Sequence, residues 1–168
     1  MAKGSIIIFS TMNANEELIQ KFYTAFQNKD GQTMVSLYHP EIQFEDPAFG
    51  KLKGKEAGAM WLMLLERSQN LTIRFSNIKA NEKEGSADWE ADYSFSKTGR
   101  LVQNKIHAKF TFQDGKIIQH KDHFSMWKWL GMAMGPVGYL LGWWPALGNK
   151  VKKEAVTGLQ LYMKRKRM

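Results

Sequence analysis

A chain of 168 residues with 43% hydrophobic and 24% charged residues has the size and composition of one globular domain, able to bury about two-thirds of its unfolded surface. It has no cysteine, which excludes disulfides, thiolate metal sites and cysteine nucleophiles and fits a reducing, cytoplasmic setting. The net charge is +8, of which +6 lies in residues 150–168, and no aromatic side chain interleaves with the closing Lys164 to Arg167 run to stack bases. Nucleic acid is therefore not an expected partner.

Residues 1–12 read as an N-terminal extension. Their apolar core, Ile6 to Phe9, is shorter than the roughly 7 to 15 residues of a signal peptide, so secretion is not expected. Two readings stay open: Met12 as the functional start with the first eleven residues an extension, or a short extra strand that pairs with a sheet edge. From Asn13 or Asn15 as cap, Leu18, Ile19, Phe22, Ala25 and Phe26 recur at helical spacing and define a first helix ending near Asn28. Asp30 offers a second cap to a short helix through Met34, Leu37 and Tyr38, closed by His39-Pro40. Ile42, Phe44 and Asp46 then share one strand parity, which puts a carboxylate on an apolar face just before Pro47.

Gly50 to Gly54 reads as a basic turn, and Lys55 to Ser68 as a third helix with Ala57, Met60, Trp61, Leu64 and Leu65 inward. Strands follow over Leu71 to Ala80 and Ala87 to Ser96, the latter alternating Trp89, Ala91, Tyr93 and Phe95 with polar residues. A hairpin spans Asn104 to Met126. Its first arm turns Ile106, Ala108, Phe110 and Phe112 inward; its second carries Ile118, Phe124 and Met126 together with His120 and Asp122 on the apolar parity. A three-residue Gln113-Asp114-Gly115 loop is the preferred closure, pairing Phe110 with Ile118, Ala108 with His120 and Ile106 with Asp122. The expected architecture is α+β, three N-terminal helices packed on a curved antiparallel sheet.

Trp127 to Gly148 is an apolar run whose only charge is Lys128. Glycines and two prolines break it into pieces too short to span a bilayer, so it reads as a lid or subunit-contact segment, with shallow membrane contact the lesser reading. Lys150 to Arg167 reads as a final helix with Val151, Ala155, Leu159, Tyr162 and Met163 as its apolar stripe. Residues 13–126 thus form the main domain and 127–168 a C-terminal segment.

No phosphate-binding glycine loop and no Gly-x-Ser-x-Gly elbow is present, and no cofactor is expected. Parity separates His123 from His120 and Asp122, so no metal site is expected either. The remaining chemistry is carboxylate acid/base work in an aromatic-lined pocket, with Asp46 and Asp122 as proton carriers. His120 is a candidate hydrogen-bond donor, as is Tyr93; Tyr23 and Tyr38 are further possible donors. A satisfied polar pair inside the sheet is the plainer alternative for His120 and Asp122.

Three stretches carry a resemblance: LIQKFYTAFQNKDG, the segment Tyr38 to Pro47 followed by Gly54 to Ala57, and the closing hairpin. Residues 13–126 resemble the SnoaL-like branch of the nuclear transport factor 2-like superfamily, a cone-shaped fold that houses ketosteroid isomerases, limonene-1,2-epoxide hydrolases and polyketide cyclases. The resemblance implies that Glu45-Asp46-Pro47 matches the isomerase motif whose aspartate shuttles the proton. Phe22 and Ala108 occupy the positions of that family's oxyanion hole. Thr98-Gly99-Arg100 and GKIIQHKDHF are similar to the epoxide hydrolases, with Asp122 matching one carboxylate of their Asp-Arg-Asp arrangement, whereas Glu90 and Asp92 point away from the expected core. A homodimer formed through the outer sheet face is implied as well. The expected function is a small-molecule enzyme with a hydrophobic substrate; the alternative is a non-catalytic binding or interaction module whose aromatic segment contacts a partner or membrane.

Overall fold

Asn13 opens the first helix in the computed structural model, which describes residues 12–168. The reading of residues 1–11 as an extra strand lies outside the described residues. The Asn13 side chain accepts from the backbone N–H groups of Asn15 and Glu16, while Glu16 reaches back to the Asn13 N–H, a reciprocal capping box. Helix α1 (Ala14–Gln27) buries Ile19, Phe22, Tyr23, Ala25 and Phe26. Asp30 caps α2 (Gly31–Ser36) through Thr33. This helix ends before Tyr38, which begins strand β1 (Tyr38–Asp46), because the backbone there is already committed to a partner: the Ile117 N–H donates to Leu37 O at 3.0 Å.

Gly50 to Lys53, expected as a turn, is instead a strand, β2 (Gly50–Lys53), antiparallel to β1 with Phe44 opposite Leu52. Gly50 has φ +76° at its start and Gly54 φ +51° at its end, the left-handed region that glycine enters without a Cβ clash. Helix α3 (Lys55–Arg67) follows, then β3 (Gln69–Ala80), β4 (Glu84–Ser94), β5 (Leu101–Gln113) and β6 (Lys116–His123). The sheet order is β2-β1-β6-β5-β4-β3, all antiparallel except the β1–β6 pair. The curved sheet stays open, and α1 and α3 cover its inner face.

The β5–β6 hairpin settles the register differently from the expectation. Asp114 (φ +53°) and Gly115 (φ +70°) form a two-residue turn of the kind that matches strand twist. Gln113 pairs with Lys116 and Phe112 with Ile117, after which the register shifts so that Thr111 faces Gln119. Ile118 is the extra residue of a bulge. Ile117, not Ile118, is therefore the buried isoleucine, and beyond the bulge His120 and Asp122 still turn inward, opposite Phe110 and Ala108.

Ser125 caps α4 (Met126–Met134), and α5 (Pro136–Leu141) follows at once. The last helix, α6 (Pro145–Lys166), begins five residues earlier than the charge pattern suggested, since Pro145 suits a first helical turn. It buries Leu159 and Tyr162 and is tied to α3 by Arg165 and Lys166, each 3.0 Å from Glu66. Three bonds fix α4 to the sheet rim: Trp129 Nε1 to Tyr93 Oη (2.8 Å), Thr98 Oγ1 to Ala133 O (2.6 Å) and Arg100 Nε to Met132 O (3.1 Å). Among the described residues no helix is long and apolar enough to cross a membrane.

Candidate active site

Inside the cone, β1, α3 and β4 each contribute one polar side chain, and β6 two, to a single buried chain of hydrogen bonds. Trp61 Nε1 donates to Tyr38 Oη at 2.7 Å, and Tyr38 Oη lies 2.7 Å from His120 Nδ1. His120 Nε2 lies 3.0 Å from Asp122 Oδ1, which also accepts from Trp89 Nε1 at 3.2 Å. Since an indole N–H can only donate and an ionised carboxylate can only accept, one tautomer completes the chain. The Tyr38 hydroxyl donates to Nδ1, and the Nε2–H donates to Asp122.

This network is sealed. His120 is 0% and Asp122 3% exposed. Rings close around the imidazole: Phe110 at 4.5 Å between centroids, Phe44 at 5.2 Å, Phe22 at 5.5 Å and Trp61 at 5.9 Å. Burying each large ring contributes about 2–3 kcal/mol, so the interior around His120 is part of the core. Burial pushes the Tyr38 phenol well above its ordinary range, the hydrogen bond from Trp61 opposing the rise and the negative charge of Asp122 adding to it. Tyr23 is equally buried, but its hydroxyl has no partner among the described atoms. Tyr23→Phe is accordingly expected to leave stability unchanged or raise it by up to about 1 kcal/mol in chemical denaturation, since it removes an unsatisfied buried group.

Asp46 stands elsewhere, at the end of β1 where the strand turns into β2. It is half-buried, and its Oδ1 accepts from the Phe49 backbone N–H. Loss of hydration raises its carboxyl pKa to about 7; the backbone bond from Phe49 opposes the rise and the charge of Asp122 adds to it. A groove of about 530 Å³ opens beside it, lined by Glu45, Phe49, Gly50 and Lys51 on one side and by Asn149, Lys152, Lys153, Val156 and Thr157 of α6 on the other. The Lys152 side chain lies over Gly50, close enough that a Cβ there would meet it at 3.3 Å. Tyr93, partly buried on β4, accepts from Trp129, which leaves its own proton to donate. Its phenol is raised by burial and further by the Asp46 charge.

The four side chains singled out from sequence thus divide. His120 and Asp122 meet in the core, whereas Asp46 stands at the groove and Tyr93, which does not line that groove, feels the Asp46 charge. The sequence marks Tyr38 as a donor, whereas its bonding to Trp61 and His120 appears only in the fold. Trp61 and Trp89 carried no polar signal beyond an indole N–H needing a partner when buried. His123 points outward, 3.4 Å from His107 O. Glu90 and Asp92 do face away from the core, gripping Arg74 at 2.9 Å each. A larger groove of about 670 Å³ lies toward the β3–β4 turn, lined by Lys79, His107, Lys109 and Lys121 among others, and neither Asp46 nor Asp122 reaches it.

A curved, open six-stranded sheet with helices on its inner face is the nuclear transport factor 2-like fold. The SnoaL-like domain model matches residues 19–120, and the chain belongs to that family. No curated protein matches the chain in sequence. Among solved structures it is similar to TerC co-crystallised with polyporic acid, at TM-score 0.62 and 16% identity over 73% of this chain and 99% of that one. It is likewise similar to an LEH-like epoxide hydrolase of M. tuberculosis, at TM-score 0.62 and 18% identity over 77% of this chain and 96% of that one. A third is a Catenulispora acidiphila protein with a ketosteroid isomerase-like fold, in complex with trimethylamine, at TM-score 0.63 and 11% identity over 71% of this chain and 94% of that one. At such identities the likeness is one of fold.

Proposed function

We propose that this chain is a small-molecule enzyme that uses Asp46 as its general acid/base on a hydrophobic substrate, in chemistry of the isomerase, epoxide hydrolase or cyclase type. The observation that carries this reading is a half-buried carboxylate, with a pKa of about 7, beside a groove. A group so poised is a competent base and, once protonated, a competent acid at neutral pH. Asp46 takes a proton from the substrate or its attacking water and returns it to the product. Tyr93 donates a hydrogen bond to the oxygen on which charge develops. Asp122 and His120 act from behind, Asp122 by its charge on Asp46 and His120 by holding Asp122 in place.

Residues 13–126 are assigned to the cone in this reading, and residues 127–168 to a segment whose α6 forms one wall of the groove. A homodimer through the outer face of the sheet and a cytoplasmic setting belong to the same proposal. The rival, a non-catalytic binding or interaction module, is favoured by the sealed state of His120 and Asp122. A panel of terpenoid epoxides, unsaturated ketosteroids and aromatic polyketide esters separates the two. The enzyme reading expects turnover of at least one class, with kcat/KM rising with pH to a plateau above a midpoint of about 7, as an ionised base requires. Tight binding of such compounds with no turnover would favour the module.

A further inference from the structure

Helices α4 and α5 form a hairpin that presents apolar side chains to solvent on a rigid base. Tyr139 lies so close over Gly131, and Gly138 so close to the Leu130 carbonyl, that a Cβ at either glycine would collide. Trp127 packs edge-on against Tyr139 at 5.6 Å and donates to its carbonyl at 3.1 Å. Leu130, Gly131, Ala133 and Gly138 are buried. The stretch that follows is bare: Leu140 is 71% and Trp143 73% exposed, and Val137, Leu141 and Trp144, close to them in sequence, are exposed as well. An exposed cluster of large apolar residues on an ordered scaffold marks a surface that meets something.

Charge decides what. No acidic residue occurs from His123 to Lys153, while Lys128, Lys150, Lys152 and Lys153 all do. Lys150 follows Pro145 by five helical residues, a rise of about 7.5 Å, so cationic side chains follow the tryptophans within the first turns of α6, with Lys152 and Lys153 lining the groove that Glu45 and Asp46 share. A second copy docked symmetrically over the patch would bring two sets of lysines, with no acidic residue from His123 to Lys153 between them in sequence, to the same interface. An anionic lipid surface complements both parts at once: the rings and leucines enter the headgroup and acyl boundary, and the lysines meet lipid phosphates and carboxylates. We propose that the α4–α5 hairpin and the Trp143-Trp144 turn dock this protein onto the surface of an anionic membrane, without spanning it. Asn149, four residues beyond Pro145, lines the groove at Asp46, so docking would hold the groove near the lipid phase.

The test is co-sedimentation of the full chain with vesicles of phosphatidylcholine alone or with about 30% phosphatidylserine, beside the Leu140→Ala, Trp143→Ala, Trp144→Ala triple variant. Pelleting is expected with the anionic vesicles, falling as salt rises, and at least about 10-fold weaker in the variant. Because the three side chains are exposed, circular dichroism melting should be unchanged by their replacement. Acyl-brominated phosphatidylserine should quench wild-type tryptophan fluorescence more than that of the Trp143→Phe, Leu140→Ala variant. Absence of pelleting with anionic vesicles, or equal pelleting by the triple variant, would overturn the proposal. So would a dimer in sedimentation velocity that the triple variant dissolves while vesicles bind neither form.

Discussion

Asp122→Ala is expected to destabilise the protein by about 3–5 kcal/mol in chemical denaturation, while Asp122→Asn costs only about 1–2 kcal/mol. The alanine removes the one acceptor shared by His120 Nε2–H and Trp89 Nε1–H and leaves both donors buried among aromatic rings, where water cannot replace it. Asparagine keeps an oxygen where Oδ1 stands. The pair of variants therefore separates the acceptor role of Asp122 from its charge, and the charge has a second readout. A negative group near Asp46 raises its pKa, so Asp122→Asn should move the titration of Asp46 downward. An alanine variant as stable as wild type would mean that the hydrogen-bond chain does not hold the core together.

Asp46→Asn is expected to lower turnover of any accepted substrate by at least about 100-fold, the scale of a lost general acid or base, and to make the protein more stable at alkaline pH. The sign follows from linkage. The folded carboxyl has its pKa near 7, above the roughly 3.9 of an unfolded chain. Between those values the native state holds a proton that the unfolded state has released, so stability falls as pH rises from about 4 to about 7. Above that the full penalty applies. Asparagine keeps the acceptor for the Phe49 N–H and cannot ionise, so it should add about 1–3 kcal/mol at about pH 8 and little below about pH 4, allowing for the partial hydration of Asp46. Denaturation curves at the two pH values measure the difference directly. A variant that loses both activity and alkaline stability would point to a structural aspartate instead.

Much of the cone was legible because periodicity is local. The α1 stripe, the alternation of β4 and β5, and the inward parity of His120 and Asp122 all follow from which residues are apolar and at what spacing. What escaped was non-local or degenerate. Ile117 and Ile118 are adjacent and equally apolar, so nothing within the strand says which faces the core, and the bulge that decides it shifts the pairing of His120 from Ala108 to Phe110. Gly50 to Lys53 has a single inward residue, Leu52, and becomes a strand only because β1 lies alongside it. Tyr38 is 82 residues from His120, and their bond appears only when β1 pairs with β6. The groove beside Asp46 needs α6, which packs back across the rim from the far end of the chain. Asp46 itself was singled out from its parity, and the structure adds the difference in exposure that separates it from Asp122.

The most direct measurement is a carbon-13 titration of the Asp46 carboxyl by nuclear magnetic resonance, assigned by its loss in Asp46→Asn and repeated in Asp122→Asn. A midpoint of about 7 in the wild type, moving lower in Asp122→Asn, is the expected result. A midpoint near 4, the ordinary value for an exposed aspartate, would contradict a proton-carrying Asp46 at neutral pH.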